Sequence, residues 1–284
     1  MKLLSFRVNG EATFGAMVGD KVVDLKPRLA GKYADLRALL EAGAVAEAEE
    51  VLKGAEGDYR TDEISYLPVI PNPPKIICVG LNYQTHVDET SRERPARPML
   101  FARFTNSLIE HEGELPAPPE SPQLDYEAEI AVIIGKRGRR ISQQDAYEYV
   151  AGYAPFNDGS IRDWMWHSTQ WTPGKNFYRT GGLGPCMTTR GEIADGQPIR
   201  LIARLNGAEM QNAMSDEMLF SIPELIEYIS EWTELEPGDV IATGTPGGIG
   251  LKREPQIFMK DGDVVEIEIP EVGVLRNYVR KEKV

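Results

Sequence analysis

The run Leu124-Asp125-Tyr126-Glu127-Ala128-Glu129-Ile130-Ala131-Val132-Ile133-Ile134-Gly135 constrains this chain more than any other stretch. It opens with acidic residues at alternate positions and closes in an unbroken apolar run that stops at Gly135. Branched side chains dominate that run, which predicts a strand entering a buried sheet. Residues two apart on a strand share a face, so Glu127 and Glu129 should point the same way, with Asp125 above them. Carboxylates leading into a core repel one another and resist burial, so something positive should compensate them. A hard divalent cation that takes oxygen ligands, Mg²⁺, Mn²⁺ or Ca²⁺, is the natural candidate. For such a pair taken alone a solvated edge is the commoner explanation, and the rest of the chain has to decide.

At 284 residues the chain can bury a sizeable core, as one large domain or one large plus one small. A net charge of −13 leaves no basic footprint to neutralise phosphates, which argues against a nucleic-acid partner. The cluster Lys136-Arg137-Gly138-Arg139-Arg140 reads as a solvated turn. Two cysteines, Cys78 and Cys186, lie far apart, which fits a reducing compartment better than a disulfide framework or a zinc site. The first residues are too short in apolar character for a signal peptide, and no run approaches membrane-spanning length. The expectation is a cytoplasmic protein with no membrane partner.

Residues 1–70 read as a small separate β/α unit. Leu3 to Val8, Thr13 to Val18 and Lys21 to Leu25 are strand-like and are joined at Asn9-Gly10 and Gly19-Asp20, which suit tight hairpins. Ala34 to Gly54 reads as one helix. Pro68, Pro71, Pro73 and Pro74 then set a boundary, with residues 71–284 as the larger domain. There Lys75 to Gly80, Met99 to Phe104, Val150 to Phe156, Ile199 to Leu205, Val240 to Thr243 and Val264 to Ile269 read as strands. Ser142 to Tyr149 and Ser221 to Thr233 read as helices, the latter entered through Ile222-Pro223.

Several residues stand out as candidates for chemistry. His86 and Glu89 are three apart, on one face of a helical turn, where a carboxylate can orient an imidazole as a general base. His111, among Glu110, Glu112 and Glu114, reads as a solvated loop histidine. Asp158, at a strand end, could supply a third carboxylate to Glu127 and Glu129. Trp164, Trp166 and Trp171 crowd beside Arg162 and Asp163, which suggests a walled site, although core packing explains tryptophans more often. Lys175 follows on a turn, placed to meet an anionic substrate. The loop Gly244 to Gly250 lacks the Gly-Lys-Ser/Thr ending of a phosphate cradle, and close backbone approach to a small ligand suits it better.

Five motifs in order carry a family resemblance: Gly80-x-Asn82-Tyr83-x-x-His86-x-x-Glu89, Asp125-Tyr126-Glu127-x-Glu129, Asn157-Asp158-x-Ser160-x-Arg162-Asp163, Trp171-Thr172-x-Gly174-Lys175-x-Phe177 and Thr243-Gly244-Thr245-Pro246. Together they resemble the fumarylacetoacetate hydrolase superfamily, in its short branch of acylpyruvate hydrolases and oxaloacetate decarboxylases. The resemblance implies an α+β, β-rich fold: a mixed β-sheet rolled into an irregular barrel, with the small N-terminal domain, and usually a homodimer. It implies that Glu127, Glu129 and Asp158 bind Mg²⁺ or Mn²⁺, with Ca²⁺ able to stand in. His86 and Glu89 would be a water-activating dyad, assisted by Lys175. Tyr83, Arg103, Arg162, Lys175 and Thr245 would contact substrate. Two departures bear on substrate identity: Arg103 stands where relatives often carry lysine, and Met165 where many carry a substrate-facing glutamine.

The first expectation from this resemblance is a metal-dependent hydrolase that cleaves a C–C bond of an acylpyruvate or related 2,4-dioxo acid, releasing pyruvate. The second is an oxaloacetate decarboxylase or a 2-hydroxydienedioate isomerase acting through the same stabilised enolate. A catalytically silent metal-binding module is the third.

Overall fold

The computed structural model describes residues 1–283. Its strands form a 13-stranded sheet, a five-stranded sheet and a two-stranded ribbon among the described residues. The fold is α+β and strand-rich, and the sheets wrap irregularly without closing into a true barrel.

The central strand is Ala128–Ile134, buried along its whole length. Its alternation divides the core. Ile130, Val132 and Ile134 join one apolar cluster, with Leu225, Ile226 and Ile229 of the helix Ile222–Trp232 and with Leu201, Val265 and Ile267 of the five-stranded sheet. Ala131 and Ile133 face the other cluster, with Leu36, Leu39 and Leu40 from the first 70 residues. Each fully buried branched side chain here contributes about 1.5–3 kcal/mol of hydrophobic stabilisation.

The N-terminal segment does not make a sheet of its own. Its hairpins Lys2–Val8, Glu11–Val18 and Lys21–Asp24 form as their turn dipeptides suggest. The first of them then pairs with Met187–Thr189, so these strands extend the main sheet. The proline run carries neither helix nor strand.

Three local expectations differ from the structure. Ala34 to Gly54 is two helices, Leu36–Glu41 and Val45–Leu52, because Gly43 takes a left-handed φ of +64° between them. Ser142 to Tyr149 is only a short 3₁₀ turn, Ala146–Tyr149, preceded by Ser142 and Asp145 bonding each other. The acidic run is two strands, Leu124–Asp125 and Ala128–Ile134, with a break at Tyr126-Glu127. At that break the Tyr126 N–H donates to Asp125 Oδ1 at 2.9 Å and the Glu127 N–H to Asn157 Oδ1 at 3.1 Å, so side chains replace the strand ladder.

Strand directions bring the functional segments to one edge. Val150–Asp158 runs antiparallel to Ala128–Ile134, so its last residue, Asp158, lies beside the start of that strand. Val240–Ala242 is also antiparallel to it and delivers the glycine-rich loop to the same edge. Ile76–Gly80 runs parallel to Val240–Ala242 and delivers Leu81 to Glu89 there as well.

Candidate active site

Glu127, Glu129 and Asp158 each offer a carboxylate oxygen, and these oxygens lie within 4.8 Å of one another, all three residues buried. Lys175, the last residue of the short helix Thr172–Lys175, places Nζ 2.5 Å from Glu127 Oε2 and 2.5 Å from Asp158 Oδ2. Arg162 places Nη1 2.6 Å from Glu127 Oε1 and donates from Nε to Asp125 Oδ2 at 2.8 Å. Its Nη2 is buried without a partner among the described residues. Among the described residues Glu129 makes no ion pair, and it accepts the Gly244 N–H at 2.9 Å.

Four buried carboxylates (Asp125, Glu127, Glu129, Asp158) thus face three buried cations (Arg103, Arg162, Lys175), leaving one negative charge over. The imbalance shows in the ionisation of each group. Burial opposes charge on Glu127, but Lys175 and Arg162 outweigh it and hold that carboxyl far below the usual range. Burial, then Asp158 and Glu127, push Glu129 well above its usual range. Burial also works against charge on Lys175, yet Asp158 and Glu127 hold it protonated. A surplus carboxylate among hard oxygen donors is what a divalent ion would neutralise, so these residues fit such an ion.

His86 lies in the helix Gln84–Thr90 with its side chain buried, and its Nδ1 stands 2.7 Å from Glu89 Oε1. The other oxygen of Glu89 accepts the Gly248 N–H at 2.8 Å. Gly250 and Leu251 donate to Asp125, each at 2.9 Å. The glycine-rich loop thus gives the Gly244, Gly248 and Gly250 N–H groups to Glu129, Glu89 and Asp125, while its Thr245 and Ile249 line the cavity.

His86, the three carboxylates, Arg162, Lys175 and Thr245 wall a cavity of about 40 Å³. Met165, Trp166, Trp171 and Arg92 complete it. Thr245 is fixed there by a 2.8 Å bond from Gln211 Nε2, and Gln211 also accepts the Ala128 N–H at 2.9 Å. Nothing in the sequence singled out Gln211, which lies in a separate sheet.

Two proposed substrate contacts are off this wall. Arg103 lies behind Asp158, donating from Nη1 to its Oδ1 at 2.5 Å and to the Gly159 carbonyl at 3.1 Å, and from Nη2 to Thr180 Oγ1 at 2.9 Å. It holds a carboxylate from behind and is not among the residues that line the cavity. Tyr83 is buried with its hydroxyl unpartnered among the described residues, and burial raises its pKa. It is the N-cap residue of the helix that carries His86. His111 is not solvated either: its Nδ1 accepts the Arg276 N–H at 3.0 Å, its ring meets Tyr66 edge-on, and burial with Arg276 lowers its pKa to about 4. Of the three tryptophans, Trp164 packs on Phe177 and stays out of the cavity.

A buried carboxylate triad short of one cation thus shares one cavity with an imidazole bonded to a carboxylate. Residues 75–280 match the fumarylacetoacetate (FAA) hydrolase C-terminal family, and the chain belongs to that family of enzymes. It is 37% identical over 265 residues to the mitochondrial oxaloacetate tautomerase Fahd2a of Rattus norvegicus, covering 92% of this chain and 85% of that protein. Among solved structures it resembles the fumarylacetoacetate hydrolase of Exiguobacterium antarcticum, with 30% identity, a TM-score of 0.83 and coverage of 99% and 100%. It also resembles the maleylpyruvate hydrolase of a Sphingobium species in complex with manganese(II) and pyruvate, with 25% identity, a TM-score of 0.82 and full coverage of both chains. The triad together with that manganese-bound neighbour supports a divalent metal.

Proposed function

We propose that this protein interconverts the keto and enol forms of a short 2-oxo acid, with oxaloacetate the leading substrate and Mg²⁺ or Mn²⁺ the ion. The observation that carries this reading is the meeting of an undercompensated carboxylate triad with the His86–Glu89 pair in one small cavity. A divalent ion held by Glu127, Glu129 and Asp158 would polarise a keto oxygen as a Lewis acid, an effect of roughly several kcal/mol. His86 is the group that exchanges a proton with the neighbouring carbon: from enol to keto, that carbon gains a proton and the oxygen loses one. Glu89 holds the imidazole in orientation. Lys175 and the free Nη2 of Arg162 offer donors to the oxygen that changes charge and to the adjacent carboxylate.

The name of the rat relative supports this chemistry and reverses the order of the two leading sequence-based expectations, in which acylpyruvate hydrolysis came first. Hydrolysis remains the second reading, supported by the likeness to the maleylpyruvate hydrolase and by an imidazole that could equally take a proton from water. A homodimer is part of the same proposal, and light scattering tests it.

The direct test follows the ultraviolet absorbance of enol-oxaloacetate with Mg²⁺, with Mn²⁺ and with chelator, beside parallel assays of acylpyruvate cleavage and oxaloacetate decarboxylation. The proposal expects enol loss above the uncatalysed rate that depends on metal and outpaces the other two reactions. Acylpyruvate cleavage as the dominant activity would overturn it in favour of the second reading.

A further inference from the structure

The cavity has two cationic ends. At its floor, Lys175 and Arg162 are buried among the carboxylates, bonded to Glu127, Asp158 and Asp125, with Arg162 Nη2 left without a partner among the described residues. At its mouth stands Arg92, exposed, just past the helix that carries His86. Its guanidinium lies 5.1 Å from the ring centroid of Trp166 and 5.6 Å from that of Trp171. Trp171 is itself fixed, since it meets Phe101 edge-on at 5.6 Å and a Cβ on Gly80 would collide with its ring. Both rings lie within cation–π range of the guanidinium, an interaction that uses no N–H donor.

No carboxylate pairs with Arg92 among the described residues. The acidic neighbours on its own helix are taken: Glu89 by His86, and Asp88 by Gln84. The rest of the wall includes the apolar side chains of Leu81, Met165, Ile249 and Leu251. A substrate with one anionic group has no use for a second, separately mounted cation. A dicarboxylate does, because its far carboxylate can accept two parallel N–H bonds from the guanidinium.

We infer that Arg92, mounted on Trp166 and Trp171, is the specificity-determining residue that selects 2-oxo dicarboxylates by binding the carboxylate remote from the keto group. This rests on the reading of the site as a metal-dependent 2-oxo-acid enzyme, and deepens it by assigning the second carboxylate to a named side chain.

Calorimetric titration of the Mg²⁺-loaded protein tests it with three ligands: oxalate, 2-oxoglutarate, and 2-oxopentanoate, which has the same chain without the far carboxylate. The parent should bind 2-oxoglutarate about tenfold or more tighter than 2-oxopentanoate, a preference equivalent to one charge-assisted contact. Arg92→Gln should abolish that preference while leaving oxalate and 2-oxopentanoate affinities unchanged. Arg92→Lys should keep part of it. Arg94→Gln removes the same charge from a neighbouring exposed position, and should leave the preference intact. Equal preference in the parent and in Arg92→Gln, or equal losses in Arg92→Gln and Arg94→Gln, would overturn the inference while oxalate binding still upheld the metal site. Failure of oxalate to bind the metal-loaded parent would overturn the underlying reading instead.

Discussion

Arg103 and Asp158 form an ion pair from which solvent is wholly excluded, Nη1 to Oδ1 2.5 Å with neither side chain exposed. The guanidinium carries three further bonds, to the Gly159 carbonyl, Thr180 and Ser107. Removing one partner of a buried pair leaves the other charged and unpaired, which costs about 3–5 kcal/mol. Asp158 keeps Lys175 on its other oxygen, so Arg103→Met should cost less than that, about 1–3 kcal/mol, in urea unfolding. Arg103→Lys, which keeps the charge and gives up the fork, should recover part of the loss. A methionine variant as stable as its parent would show that Asp158 does not depend on this partner.

Glu129 gives the metal-free protein a pH dependence of definite sign. Burial, followed by Asp158 and Glu127, raises its folded-state pKa well above 4.5. The folded state then keeps a proton that the unfolded chain releases, so this stabilisation is complete below 4.5 and is lost as pH rises through the raised value. In chelator, the melting temperature should fall as pH rises from 4.5 through the raised value, and level off beyond it. Glu129→Gln should reduce the slope, leaving a residue from Asp125, whose pKa burial also raises. Saturating Mg²⁺ or Mn²⁺ should flatten the parent's profile, since the ion takes the place of the proton. Identical slopes for parent and Glu129→Gln in chelator would remove Glu129 as the cause.

How much of this was legible in the sequence depended on where each residue's bonding partners lie. The hairpins at Asn9-Gly10 and Gly19-Asp20 were readable because turn and strand period are both local. The triad was readable because strand ends carry Glu129 and Asp158, even though the strand breaks at Tyr126-Glu127. That break was not readable: its donors end on Asp125 itself and on Asn157, and Asp125 in turn is held by Gly250 and Leu251. Arg103 looked like a substrate contact because nothing near it in the chain distinguishes the front of a carboxylate from its back. Arg92 took its meaning from tryptophans more than 70 positions away.

His86 is predicted to be the proton-transfer group. His86→Ala should lower metal-dependent enol-to-keto conversion by about 10²–10⁴ while oxalate still binds, because His86 is not among the metal-binding carboxylates. Glu89→Gln should give a smaller loss, since the glutamine can still accept the Gly248 N–H but orients the imidazole less firmly. If His86→Ala retained full tautomerase activity, the proton would have to come from another group on the cavity wall.

The helix that carries His86 should also be where binding becomes visible to a protease. It spans Gln84–Thr90, ends at Ser91 in a left-handed conformation, and buries only His86 and Val87. So short a helix is marginal by itself. Its hold on the protein consists of a few contacts: Gly247 N–H to Thr85 Oγ1 at 3.0 Å, Gly248 N–H to Glu89, and Arg92 on its two rings. Ser91 to Arg94 are exposed. Trypsin should cut after Arg92, because Pro95 and Pro98 protect the bonds after Arg94 and Arg97. A ligand in the cavity gives His86 a partner and should hold the helix down over the site, excluding water as it does so. Mg²⁺ with oxalate should accordingly slow cleavage at Arg92 more than Mg²⁺ alone, as read by mass spectrometry of the early fragments. A cleavage rate at Arg92 that is unchanged by saturating oxalate would show that the helix is seated equally well with the cavity empty or filled.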